Sequence, residues 1–590
     1  MPSPLRVELK RVQHADPPAH HVVERYDGRA VTVGFQNPWD SWLKPSTAQV
    51  VQALEWGERD GTAAQTQHAS WVSQLRHSLS LRSSSPPDAR TETPEKDSSL
   101  FSLDMLRRRS SLPLHVKKPN FAFGDTDHAR ATWLGHAGVL VQLPGLDDAS
   151  RPFHALFDPI FSARCSPSQL VGPHRFFPAP CSVEELPPID AVFISHNHYD
   201  HLDFNTIVAL WERFYDTIHF FVPLGNKKWF VQDSPGVAPE RVTEMDWWDE
   251  AHIFPRRRAT WEAPESSARS SASTVSERGS TPSYPNTPAS HAYVPLRIVC
   301  TPAQHGSGRT ATDAGRTLWS SWMLEHRTGD KPEDVYRVFF GGDSGYRFHD
   351  GDDRCDDTHM CADEEGSSAN NSDSGRPVSP VLSSTLSTSP TSSPKVRPRP
   401  PEWARSFLDA RSRLEYLRKQ EDRPPSPGRL SSLPFRLADR KRKRKSVHKY
   451  PACPAFAEVA QRIGPPDMLL LPISVGATFA YFKSFDVFPD WLSPFPRLSD
   501  GLTGANHMTT ADAVNVFRLM TQAHQGPRAP VCLAIHWGTF VCGADEITET
   551  IFRLQAACTI QNVQYTRHYD GASDVPTFAL INHGESIRVP

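Results

Sequence analysis

A chain of 590 residues is long enough for roughly three or four domains. With 54 Pro and an apolar fraction of only 38%, it cannot bury enough surface to order throughout, so one catalytic domain with disordered inserts is expected. A formal net charge of −3 excludes a general polyanion binder, hence a nucleic-acid partner, and nine scattered Cys without a CxxC pair exclude a zinc ribbon or small disulfide scaffold.

The N-terminal stretch has no apolar core of signal-peptide length, and no run of about 18 apolar residues follows, so no membrane span is expected. Peripheral attachment stays open, and the cysteine usage favours a reducing compartment. Residues 1–56 form an N-terminal segment expected to pack partly on the core. Residues 57–118, 262–290 and 351–450 are rich in Ser, Pro and charge and poor in periodic apolar residues, so they are expected to be disordered. Within the last of these, 403–420 carries Phe407, Leu414 and Leu417 near helical spacing and predicts a short helix. The basic run Arg440 to Lys445 behind it reads as a solvated charged tail, a localisation signal or an anionic-lipid contact.

Between the inserts, 119–350 and 451–590 form the two parts of one domain. Short apolar strands are predicted within 131–143, 154–161, 190–201, 219–225, 296–305, 336–346, 467–474 and 531–540, each ending in Gly, His or Asp. Helices are predicted at 204–215, 454–464 and 509–525, the last opened by Thr509 and Asp512 as a capping box. Alternating strands and helices of this kind make a layered α/β domain.

Chemistry concentrates where the strands end. SHNHYDHLD packs His196, His198, Asp200 and His201 into six residues directly after the apolar run AVFI. Strand alternation puts His196 and His198 on one side, and the turn beyond swings Asp200 and His201 towards a second point, so two metals could sit side by side. His305 in CTPAQH, Asp343 in FFGGDSGY and His536 in LAIHWGTF bring the candidate ligands to seven. Imidazole and carboxylate without thiolate suit Zn²⁺ first, although Fe or Mn occupy similar nitrogen and oxygen sites. No GxSxG elbow or GxxxxGK[ST] loop offers a competing nucleophile or phosphate cradle.

The order HxHxDH, distant His, Asp in a GGD turn, final His resembles the metallo-β-lactamase superfamily. Around it, WLGHAGVLVQL, FDPIFSARCSPSQLVGP, SHNHYDHLD, MDWWDE, TPAQH, GGDSGY, CPAFAEVAQRIGPPD and AIHWGTF, with GFQNPWDSW near the N-terminus, resemble the N-acylphosphatidylethanolamine-hydrolysing phospholipase D family. The resemblance covers most of 29–56, 119–261, 291–350 and 451–590. It implies a four-layer αββα metallo-β-lactamase fold and two Zn²⁺ ions. His196, His198 and His305 would hold the first, Asp200, His201 and His536 the second, with Asp343 bridging. Two ions about 3.5–4 Å apart can clamp an in-line displacement at phosphorus.

The reaction so implied splits N-acylphosphatidylethanolamine into N-acylethanolamine and phosphatidic acid, with a phospholipid at a membrane surface as partner and a homodimer as assembly. Asp200 and Asp343 are the catalytic carboxylates. His507 is either a phosphate or leaving-group contact or a solvent-facing residue at a helix start. His136 and Asp158 are expected to orient ligands rather than to bind metal. The chain departs from the family between Ser474 and Asn506, where Phe479, Tyr481, Phe482, Phe485, Phe488, Trp491 and Phe495 make either a lipid-facing lip or a packed loop. Other hydrolases on the same fold, a lactonase or a nuclease-like phosphodiesterase, and a non-catalytic scaffold are the competing functions. A cytoplasmic location is expected, with the mitochondrion as alternative.

Overall fold

The computed structural model describes residues 5–44, 46, 54–55, 113–121, 129–145, 151–170, 172–233, 235–255, 295–310, 312–327, 329, 334–349, 450–473, 497–498, 503–541, 544–571 and 573–589. They belong to one compact unit. Its central strands are apolar on both faces, which demands cover on both sides. In Phe153–Phe157, Ala155 and Phe157 enter one hydrophobic cluster and Leu156 another. Phe193 and Phe221 join the first, whereas Val192, Phe220 and Val222 join the second.

This sheet has seven strands, in the order Val242–Met245, His219–Pro223, Ala191–Phe193, Phe153–Phe157, Gly138–Leu143, Ala129–Gly135 and Ser586–Val589. The first four are mutually parallel and the remaining pairings antiparallel. The second sheet has nine, ordered Leu5–Lys10, Glu250–Pro255, Leu296–Thr301, Ser321–Arg327, Val335–Phe340, Met468–Pro472, Val531–Ile535, Thr577–Ala579 and Gln564–Thr566. It runs antiparallel to Val335–Phe340 and parallel beyond.

The sheets meet face to face through large rings, with Phe157 and Phe340 centroids 4.7 Å apart and Phe193 and Trp322 5.6 Å apart. Outside the seven-stranded sheet lies the helix Phe204–Phe214, which buries Ile207, Leu210 and Phe214 and is capped by the Asp203 carboxylate accepting from the Thr206 N–H. Outside the other sheet lie Ala455–Ile463, Thr510–Thr521 and Ala544–Ile560. Phe456 meets Phe339, and Phe517 meets Phe578, on the face opposite Phe340. The result is helix, sheet, sheet, helix.

Several sequence expectations shift in detail. The stretch 131–143 is a hairpin rather than one strand, because Gly135 and His136 both take positive φ (100° and 51°) and reverse the chain. The capping box at Thr509 and Asp512 forms, and its helix stops at Thr521. The helix Ala544–Ile560 and the strands Ser321–Arg327 and Ser586–Val589 were not anticipated. Leu5–Lys10 pairs with Glu250–Pro255, and Leu54–Glu55 with Arg497–Leu498. Residues 57–112, 262–290 and 351–449, including the helix expected at 403–420 and the basic run, lie outside the described residues, as do 474–496. No described helix is long and apolar enough to cross a membrane.

The end of the 57–118 stretch corrects the linker reading. Val116 bridges to His583, the Lys117 N–H donates to the His583 carbonyl at 2.8 Å, and Leu114 is fully buried. Leu114 lies over Gly538, where a Cβ would come within 2.5 Å of it. Leu114→Ala therefore costs about 2–5 kcal/mol in chemical unfolding, as a core truncation does. A loss below roughly 0.5 kcal/mol, as at a free surface site, would return this stretch to the linker.

Candidate metal centre

Six strand ends deliver groups to the same point. His136 follows Ala129–Gly135, Asp158 follows Phe153–Phe157, and His196 and His198 follow Ala191–Phe193. From the other sheet come His305, Asp343 and His536, beyond Leu296–Thr301, Val335–Phe340 and Val531–Ile535. Asp200 and His201 lie in the turn into helix Phe204–Phe214, and His507 lies just before Thr510–Thr521. Three of the six described non-glycine residues with positive φ are His136, Asp158 and His536, at 51°, 35° and 59°. Such backbone costs on the order of 1–3 kcal/mol per residue and persists where packing enforces it.

The seven residues expected as ligands converge in two groups. His196 Nε2 lies 2.8 Å from His198 Nδ1, and His305 Nε2 lies 3.2 and 3.4 Å from those same atoms. Asp200, His201 and His536 form the second group, which His136 joins. Asp343 lies between them. Its Oδ1 is 2.9 Å from His536 Nε2, while its Oδ2 is 3.0 Å from His201 Nε2 and 3.9 Å from both His196 and His305 Nε2.

Hydrogen bonding on the far side of the His196, His201 and His305 rings decides what faces inward. Ser195 gives its hydroxyl proton to Asp158 Oδ2 (2.5 Å), so its oxygen accepts from His196 Nδ1 (2.8 Å). His305 Nδ1 donates to the Asn506 carbonyl (2.9 Å), and His201 Nδ1 to Asp158 Oδ2 (2.7 Å). In the neutral imidazoles these bonds leave the Nε2 lone pairs of His196, His305 and His201 turned inward. Two bare nitrogens 3.2 Å apart cannot hydrogen-bond to one another, so this arrangement fits a cation between them. His536 Nδ1 is buried without a hydrogen-bond partner, while His201 Nε2 and His536 Nε2 are buried with the Asp343 carboxylate as their nearest polar neighbour.

The electrostatics agree. Burial, reinforced by neighbouring His201, holds His196 well below the usual imidazole range, and burial likewise depresses His305 and brings His198 to about 4. On the other side burial is outweighed: Asp343, Asp200 and Asp158 hold His201 well above its ordinary value, and Asp343 and Asp200 raise His536 to about 9. Burial opposes ionisation of Asp200 and Asp343, yet the surrounding imidazoles keep both well below the carboxylate range.

The residues expected to orient ligands do touch them. Asp158 accepts from His201 and Ser195, and His136 Nε2 meets Asp200 Oδ2 at 2.9 Å. His507 is not turned to solvent, since its Nε2 lies 3.3 Å from Asp343 Oδ2 and the side chain is only 11% exposed. Sequence reasoning missed Ser195, Asn506 and Asn37, whose amide pairs with the His305 backbone. Ser195 and Asn506 adjoin His196 and His507 and were within reach of a local reading. Asn37 lies 268 residues from its partner and gave no local signal.

Residues 154–358 match the family model described as a Beta-lactamase superfamily domain. Among curated proteins, an uncharacterized protein of Mycobacterium tuberculosis is 33% identical over 242 residues, 40% of this chain and 48% of that one. The N-acyl-phosphatidylethanolamine-hydrolyzing phospholipase D 1 of Caenorhabditis elegans is 31% identical over 240 residues, 40% of this chain and 52% of that one. The mitochondrial N-acyl-phosphatidylethanolamine-hydrolyzing phospholipase D of Saccharomyces cerevisiae is 27% identical over 215 residues, 36% and 34% of the two chains. The chain thus spans about half the length of the first two relatives and a third of the last. Solved structures that align include the diiron β-hydroxylase CmlA of Streptomyces venezuelae (14% identity, TM-score 0.31, 78% and 54% coverage) and the metallo-β-lactamase fold protein YhfI of Bacillus subtilis (10%, 0.29, 78% and 98%). The fold is the metallo-β-lactamase fold, which implies a divalent metal, and the His and Asp clusters supply candidate sites for it.

Uptake of cations must displace the protons that Asp343 and Asp200 hold on His201 and His536. Because the His536 value is raised to about 9, it is protonated below that pH and loses the proton only as pH climbs. Apparent zinc affinity of the metal-free protein should therefore rise between pH 6.5 and 8.5, about tenfold per pH unit for each proton released. Calorimetry in buffers of different ionisation enthalpy measures that release, and uptake without it would contradict this charge distribution.

Proposed function

We propose that the chain is a metal-dependent hydrolase of phosphodiesters acting on N-acylphosphatidylethanolamines at a membrane surface, yielding N-acylethanolamine and phosphatidic acid. The observation that carries the hydrolase reading is the inward-facing set of imidazole nitrogens around Asp343; the two phospholipase D relatives support the substrate. His196, His198 and His305 would hold one divalent cation, Asp200, His201 and His536 a second, and Asp343 would touch both. Bound there, the cations supply an activated water and screen charge on the phosphoryl oxygens. Zinc suits these nitrogen and oxygen donors.

The chain's own residues prepare the rest. Asp158 and Ser195 fix the rings of His201 and His196, so no reorganisation is needed when charge develops. Exposure gathers at Asp200 and His507, with side chains 12% and 11% exposed, and at half-buried His198, whereas His196 and His201 are closed. Substrate approaches from that side. His507 stands on it with Nε2 towards Asp343, placed to carry a proton to the departing alkoxide oxygen of the N-acylethanolamine.

The test is turnover by purified protein on N-acylphosphatidylethanolamine vesicles, on lactones and on bis(4-nitrophenyl) phosphate. Lipid cleavage at the phosphate–ethanolamide bond is expected, with lactones inert; lactone turnover without lipid cleavage would overturn the reading. His507→Gln should lower the lipid rate by about 10²–10⁴ and affect the nitrophenyl ester far less, because nitrophenolate leaves without a proton. Equal losses on both substrates would remove the proton-transfer role.

A further inference from the structure

Beyond the centre itself, one histidine–carboxylate cluster stands apart. His20 and His21 each place Nε2 2.8 Å from Asp246, one on Oδ1 and the other on Oδ2. Here every ring nitrogen in contact has its own oxygen, with no hydrogen-bond-length approach between the two rings' nitrogens. This is the signature of two N–H donors on one carboxylate, unlike the His196, His198 and His305 group, where ring nitrogens face one another. It is a latch. His20 also stacks on Trp247 at 4.2 Å, and Trp39 stacks on the same indole at 5.4 Å.

What the latch fastens runs towards the metal centre. The Gln36 N–H donates to the His20 carbonyl (2.9 Å) and the Phe35 N–H to the Gly315 carbonyl (2.7 Å). The two segments pass so close that a Cβ on Gly34 would come within 2.9 Å of the Gly315 carbonyl oxygen, and one on Gly315 within 2.9 Å of the Phe35 carbonyl oxygen. The next residue is Asn37. Its Nδ2 donates to the His305 carbonyl (2.6 Å), and its Oδ1 accepts from the His305 N–H (3.2 Å), so both backbone groups of that histidine are held by one amide. Ser41 hydrogen-bonds the Gln304 side chain, whose Nε2 donates to the Ala505 carbonyl two residues before His507.

We propose that Asn37, carried on the segment from His20 to Ser41, is a positioning residue that sets His305 and through it the His196–His198–His305 site. This inference rests on the ligand reading above. The backbone of His305 is clamped by Asn37 while its ring is clamped by the Asn506 carbonyl, so Nε2 is aimed at His196 and His198 without rearrangement. The segment lies outside the matched span 154–358, as do His136, His507 and His536.

Zinc titration of the metal-free full chain against a competing chromophoric chelator tests it. Wild type should show two binding steps. Asn37→Ala should weaken one of them by about 10–100-fold, as loss of a ligand-orienting partner does, and leave the other within threefold. Gln36→Ala, which removes only a side-chain bond to the Ala19 carbonyl at the surface, should match wild type at both steps. Should Asn37→Ala not fold, Asn37→Ser, which keeps a small polar side chain but cannot span both backbone groups, should weaken the same step. Wild-type affinity at both steps in the folded variant overturns the positioning role while leaving the centre intact. A wild-type chain that takes up no zinc overturns the centre and this inference together.

Discussion

Two bare imidazole nitrogens, His196 Nε2 and His305 Nε2, held 3.2 Å apart repel one another unless a cation or a shared proton lies between them. Much of the structure serves to bring about that otherwise repulsive contact. Two sheets from distant parts of the chain must meet with their strand ends in register, because His196 and His198 come from one sheet and His305 from the other. The large rings between the sheets, Phe157 on Phe340 and Phe193 on Trp322, set that alignment.

The same constraint explains the strained backbone. Left-handed φ at His136, Asp158 and His536 turns side chains inward directly after a strand, where regular continuation would alternate them away. Buried partners then fix two of the rings: Asp158 serves His201 and Ser195, and Ser195 serves His196. The His136 backbone carbonyl accepts from the His536 N–H at 2.8 Å, joining the two sheets at the centre. Close approach is also built in at Gly345, where a Cβ would come within 1.9 Å of the Ala505 carbonyl, so the Asp343 turn and the His507 turn can lie side by side.

What the sequence disclosed follows from how local each cause is. HxHxDH after an apolar strand is a six-residue signal, and the strand-end His305, Asp343 and His536 repeat its logic, so all seven candidate ligands were visible before the fold. A layered α/β domain was visible for the same reason, through apolar runs too short for helices, while its αββα arrangement followed from the family resemblance. The hairpin at His136 was hidden because both of its strands are equally apolar. The helix Ala544–Ile560 was missed although Ile547, Ile551 and Leu554 recur at helical spacing and are buried, because Thr and Glu between them blur the pattern. Leu114 and Asn37 could not be read at all, since one packs over Gly538 and the other pairs with His305, each across hundreds of residues.

The most direct measurement is anomalous X-ray diffraction at the zinc edge from crystals of zinc-loaded full-length protein. Two anomalous peaks are predicted, one within bonding distance of His196, His198 and His305, the other of Asp200, His201 and His536, with Asp343 contacting both. A single peak elsewhere, or none with the imidazoles still in mutual contact, would contradict the metal centre and the chemistry that rests on it.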